Sequence, residues 1–164
     1  MRTSELLQLL SQRYQPPSGA FIPEFVAGTG AYSNSRADAL AMELWESNGW
    51  EIHGFELKVS RADWLRELKV WNTEKATPVK RFCDRWYVVA ANSKIVKYAD
   101  ELPRGWGLMF AEDDKDGGKR LHTMIEAPKL TPEPYGRHFI ASLMRRATRV
   151  DGLAHIVPPH EQRF

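Results

Sequence analysis

Two periods of apolar and polar positions alternate along this 164-residue chain. Near the start, Leu6, Leu7, Leu9 and Leu10 recur at helical spacing behind Thr3 or Ser4, either of which suits an N-cap. "PPSG" at 16–19 ends that helix, the extended piece "AFIPEFVAGTG" follows, and "GTGAYSNS" reads as an irregular loop. The period then changes. "ADALAMELW" at 37–45 and "WEIHGFELKV" at 50–59 are strand-like and flank Asn48-Gly49, a strong turn dipeptide, so they predict an antiparallel hairpin. Ser60, with Asp63 three residues on, opens a helix over 61–71 whose apolar stripe is Trp64, Leu65, Leu68 and Trp71. "VKRFCD" after Pro78 predicts a second short helix. "RWYVVAA" at 85–91 and "GWGLMFA" at 105–111 are dense apolar runs typical of buried strands. Between them "KIVKYADELP" is a connection with room for one helical turn. The charged turn "EDDKDGGK" lets "RLHTMIEA" pair back, and the proline-rich "APKLTPEP" is an extended linker. "GRHFIASLMRRATR" is amphipathic, with Phe139, Ile140, Leu143 and Met144 on one side of a helix, and "VPPHEQRF" is a loose tail.

The order of these elements predicts an α/β fold: a mixed β-sheet flanked by helices, with an extra C-terminal hairpin and helix. The length suits one domain with its own core. Residues 1–126 form that α/β core, and 127–164 (linker, helix and tail) pack on the same domain. Composition supports a globular chain, at 43% hydrophobic and 27% charged. The net charge of +2 is too small to argue for nucleic acid by itself, so local clustering has to carry any such reading. Cys83 is the only cysteine, which excludes an intramolecular disulfide and argues against a cysteine zinc site. That suits the reducing cytoplasm, the expected location. "MRTSELLQLLSQRY" lacks the apolar core of a signal peptide, and nothing approaches the ~20 apolar residues of a membrane span, so no membrane partner is expected.

The hairpin holds the candidate chemistry. Side chains alternate faces along a strand, so Phe55, Leu57 and Val59 share the core face while Glu56 and Lys58 share the other. With a turn centred at Asn48-Gly49, Asp38 pairs with a residue near 59. A shift of a residue or two brings it close to Lys58 and Glu56. Two carboxylates and a lysine then converge. Two hard oxygen ligands can hold Mg²⁺ together with waters and phosphate oxygens, and a lysine can orient a water or neutralise developing charge. Phosphodiester hydrolysis is the reaction class this suggests. On the residues alone, a solvated hairpin face with alternating charge explains Glu56 and Lys58 more simply.

"RADAL" at 36–40, followed by "FELK" at 55–58 and then a capped helix, resembles the PD-(D/E)XK nuclease superfamily. There an aspartate on one strand precedes Glu-x-Lys on the next, and the core runs helix, three strands, helix, strand. More specifically, "GFELKVSRADWLRELK", "KRFCDRWYVVA" and "LPRGWGLM" resemble a phage and bacterial group close in pattern to the MmcB-like DNA-repair proteins, over residues 24–145. The proline of the family name is absent, because Ala37 precedes Asp38. The resemblance implies a restriction-endonuclease-like core and a deoxyribonuclease dependent on Mg²⁺ or Mn²⁺, working in phage DNA processing or DNA repair. Asp38 and Glu56 would be the metal ligands and Lys58 the catalytic lysine. Many members add a glutamate from the first helix. Glu5 is the candidate there and Glu24 its rival.

DNA is the implied partner, and a chain this small is expected to nick or to act as a homodimer. Arg36, Ser60, Arg61, Arg66, Lys69, Lys75, Lys80 and Arg81 cluster around the motif and are candidate phosphate contacts, ordinary surface charge being the even alternative. Ser60 is first of all a helix cap. Trp64 and Trp71 suit the core better than base stacking. His53 sits on the Phe55 face by parity and is expected to be packed. A non-catalytic DNA- or protein-binding module that kept the fold is the rival reading. The C-terminal helix, with Arg137, Arg145, Arg146 and Arg149, suits DNA contact or dimerisation equally.

Overall fold

The computed structural model describes residues 1–27, 35–71 and 78–151. Residues 28–34 (expected as a loop), Lys75 and residues 152–164 (expected as a tail) lie outside the described residues, as do the side chains of Trp71 and Arg149. Among the described residues, three α-helices and six strands follow in the order α1 (Thr3–Arg13), β1 (Gly19–Ala27), β2 (Ser35–Glu43), β3 (Ile52–Lys58), α2 (Arg61–Trp71), β4 (Arg85–Ala90), β5 (Trp106–Asp113), β6 (Lys119–Ile125) and α3 (Arg137–Asp151). The strands form one sheet in sequence order. β2 runs antiparallel to both of its neighbours, β1 and β3, β4 and β5 run parallel to β3, and β6 returns antiparallel to β5.

β3 sits inside the sheet, between β2 and β4, and both of its faces are covered. On one face Tyr14, at the end of α1, packs against the Phe55 ring and hydrogen-bonds His53 Nδ1 through its hydroxyl at 2.9 Å. Phe55 stacks on Tyr87 of β4. His53 is thus packed, as its parity indicates. On the other face Trp86 lies directly over Gly54, where an added Cβ would come within 2.2 Å of the indole. α2 covers this second face, with Trp64 fully buried and its Nε1 donating to Glu101. α3 packs on β1, with Phe139 against Phe25.

Several details depart from the sequence pattern. Arg2, not Thr3 or Ser4, is the N-cap of α1, and its backbone N–H donates to the Glu5 carboxylate. The segment after Pro78 makes only a single 3-10 turn, Lys80–Phe82. Asp84 leaves no room for a longer helix: its backbone N–H donates to Ile52 O at 2.8 Å, and its carboxylate accepts the Ile52 N–H at 2.8 Å. The chain must therefore be in β4 by residue 85. The β2–β3 connection is not a tight turn at Asn48-Gly49. A 3-10 turn spans Glu46–Asn48, and Gly49 and Trp50 both take positive φ. The Glu43 N–H donates to Glu51 O, closing a longer loop. Leu65 is exposed, while Trp64 and Leu68 face inward.

Candidate functional site

The longer loop resets the hairpin register. Ala39 pairs with Phe55 and Leu40 with Gly54, so Asp38 falls opposite Glu56, not near residue 59. The Asp38 carboxylate extends this pairing beyond the ladder, accepting the Leu57 N–H at 2.7 Å. One aspartate oxygen is thereby fixed by β3 itself. β3 stops at Lys58. Val59 is exposed beyond it, contrary to its expected core position, and Ser60 Oγ accepts the Asp63 N–H at 3.1 Å to cap α2.

Glu56 and Lys58 share a face, as strand parity requires, but that face is not solvated. Lys58 is only 5% exposed, and its ammonium lies 2.9 Å from Glu67 Oε2 and 3.5 Å from Glu56 Oε2. The reason is α2. It folds back over the end of β3 and brings Glu67 down onto Lys58. The strand motif does not reach Glu67, which lies nine residues beyond Lys58. The available signal was its spacing three residues after Trp64, which places both on the helix face turned to the sheet.

The electrostatics follow from crowding. The four side chains are three carboxylates and one ammonium, mostly out of water. Burial, and then the Asp38 charge, push Glu56 up to about 8, against the opposing pull of Lys58. For Lys58, burial alone would favour the neutral amine. Glu56, Glu67 and Asp38 outweigh it and raise Lys58 above its ordinary value, so it is a fixed cation. Such an arrangement can hold a positive ligand between Asp38 and Glu56. Among the described residues, no group of three or more His, Cys, Asp and Glu side chains is placed to hold a metal ion. Any ion here would rest on the two carboxylates, completed by water or substrate oxygens.

The other candidates separate. Glu24 occupies the β1 position across from Asp38, between the pairs Pro23–Ala39 and Phe25–Ala37. Its φ of 50° and its ion pair with Arg146 at 3.3 Å hold its carboxylate on the exposed side. Glu5 is exposed and spent on the α1 N-terminus, and α1 packs on the face opposite Glu56. Arg61 departs from the expected phosphate contact: its guanidinium is forked onto Glu101 and donates to Ile95 O at 2.8 Å. Lys80 lies over the Trp106 ring, half-buried, and burial lowers its ordinary value. Arg81 sits over Phe82 and pairs with Glu133 at 3.7 Å. Arg66 pairs with Asp63 on the exposed face of α2, where Lys69 is also exposed. Arg36 is exposed on β2, two residues before Asp38.

The chain is thus a mixed α/β protein with a six-stranded mixed sheet, three helices and an acidic cluster around one lysine at the end of a central strand. Among the described residues no helix is long and apolar enough to cross a membrane. No family model and no curated protein matches it. A solved structure that it resembles is a protein of unknown function from Silicibacter pomeroyi, at 21% identity and a TM-score of 0.55, covering 97% of this chain and 90% of that one. At that identity the likeness speaks for the fold alone.

Proposed function

We propose that the protein is a metal-dependent deoxyribonuclease of the PD-(D/E)XK type, hydrolysing DNA phosphodiester bonds in phage DNA processing or DNA repair. One observation carries the reading: Asp38 lies opposite Glu56 across the β2–β3 pair, with Lys58 on the same face and 3.5 Å from Glu56. The element order supports it too. The order helix, three strands, helix, strand is the one expected of a restriction-endonuclease-like core, and α1, β1 to β3, α2 and β4 follow it.

The donor set suits Mg²⁺ or Mn²⁺. Both candidate ligands are hard carboxylate oxygens, and burial together with the Asp38 charge raises the cost of ionising Glu56 until a cation sits beside it. A bound Mg²⁺ supplies charge for the phosphate oxygens and lowers the pKa of a water. The protein residues do the rest. The Leu57 N–H fixes the Asp38 carboxylate, so its second oxygen faces a defined direction. Lys58 keeps its proton and offers N–H donors to a water or a phosphate oxygen at the same place. Exposed Arg66, Lys69 and Arg36 are the remaining cations for the DNA backbone. Ser60, already a cap, lies at the start of α2, where a helix N-terminus suits a phosphate.

Cleavage of a panel of duplex, single-stranded and branched DNA, with Mg²⁺ and with EDTA, tests the reading. Metal-dependent cutting of at least one substrate is the expected result. A protein that binds DNA but cuts none of the panel at any metal concentration is instead a non-catalytic binding module. Light scattering on the same samples separates a homodimer from a nicking monomer.

A further inference from the structure

We infer that Glu67 is the positioning residue for Lys58: its carboxylate on α2 sets where the ammonium stands relative to Glu56, and so governs the cleavage step Lys58 assists. The inference rests on the nuclease reading above and assigns a task to a residue outside its motif.

Lysine is a poor positioner of its own charge. Its four-carbon stem has wide rotamer freedom, and its rotatable ammonium donates in almost any direction. Lys58 also ends its strand, with exposed Val59 and Ser60 next in the chain. Its location is therefore decided by what holds Nζ. The 2.9 Å contact to Glu67 is a full charge-assisted hydrogen bond, whereas the 3.5 Å contact to Glu56 is at the outer limit of one. Glu67 is the anchor, and Glu56 is the neighbour.

The anchor itself stands on a fixed element. Ser60 caps the start of α2, and Trp64, one turn before Glu67, is fully buried with its indole N–H on Glu101. Glu101 in turn grips Arg61 in the first turn. The helix is tied at three points, so the Glu67 carboxylate has a set height above the sheet. A misplacement of about 1 Å in a reacting group costs on the order of 100-fold in rate.

The test pairs kinetics with a spectroscopic readout that needs no activity. The ¹⁵Nζ resonance of a shielded, ion-paired lysine ammonium is visible at neutral pH, and Lys58→Met assigns it. In Glu67→Gln, steady-state DNA cleavage with saturating Mg²⁺ should fall about 10- to 100-fold in kcat, with KM within about threefold. Glu67→Asp, which keeps the charge, should recover part of the loss. The Lys58 resonance should shift or broaden in Glu67→Gln and persist in Glu56→Gln. Unchanged kcat in Glu67→Gln, or a resonance lost in Glu56→Gln but kept in Glu67→Gln, overturns the inference while leaving the nuclease reading intact. A wild-type protein that cuts no DNA overturns both, and that result is read without any Glu67 variant.

Discussion

Replacing Glu56 by Gln should make the metal-free protein more stable at neutral and alkaline pH, although it removes a proposed catalytic group. The folded protein holds Glu56 at about 8, against an ordinary value of 4.5. Between those two values the folded state binds a proton that the unfolded chain has released, so stability falls as pH rises through the window. Each unit is about 1.4 kcal/mol, which makes the penalty about 3 kcal/mol at pH 7 and about 5 kcal/mol once pH passes 8. At pH 4 the penalty vanishes. Glutamine keeps the shape and carries no charge, so it removes the penalty. At pH 7 the gain corresponds to roughly 6–12 °C in Tm for a domain of this size. Urea unfolding of wild type and Glu56→Gln in EDTA at pH 4.5, 7 and 9 measures it. The difference should grow with pH. Adding Mg²⁺ should then stabilise the wild type and leave Glu56→Gln unmoved. A Glu56→Gln protein that is equally destabilised at all three pH values would refute the crowding argument and make Glu56 a structural partner of Lys58.

Other consequences are as specific. Gly54→Ala forces a methyl into the Trp86 ring and should cost about 3 kcal/mol or more, seen as a lower urea midpoint with an unchanged m-value. Arg61→Ala should lower stability through the loss of its Glu101 pair and leave DNA affinity nearly unchanged. Lys69→Ala should instead weaken DNA binding and reduce its salt slope by about one, by fluorescence anisotropy across a salt series. Glu51 is held at about 2 by hydrogen bonds from Arg85, then Lys129 and His53. Its contribution is complete above its ordinary value of 4.5 and is lost as pH falls toward 2, so Glu51→Gln should be destabilising at pH 7 and nearly neutral at pH 2 in thermal melts.

The junction of β3 and α2 was legible in the sequence because local rules decide it: parity in the strand, then a serine cap. The trio Asp38, Glu56 and Lys58 was legible in kind, as two acids and a base brought together by a hairpin. Its register was not. Asn48-Gly49 has the chemistry of a two-residue turn, yet the Glu46–Asn48 3-10 turn and the Glu43–Glu51 backbone bond lengthen the loop, and Asp38 moves opposite Glu56. The burial of Lys58 was hidden for a different reason. A lysine in an alternating strand reads as solvent-facing, and only the return of α2 over β3 covers it. Arg61 looked like a free cation because its partner Glu101 is forty residues away, a separation that no periodic signal spans. The second short helix failed because propensity lost to a tertiary hydrogen bond, the grip of Asp84 on Ile52.

Matched DNA cleavage by wild type, Asp38→Asn, Glu56→Gln and Lys58→Met tests the central claim most directly. Each would be shown folded by circular dichroism and assayed with Mg²⁺ on the substrate that the wild type prefers. Metal-dependent cutting by the wild type, with a loss of at least about 100-fold in all three variants, is the predicted result. Wild-type levels of cutting in Asp38→Asn and Glu56→Gln would contradict it.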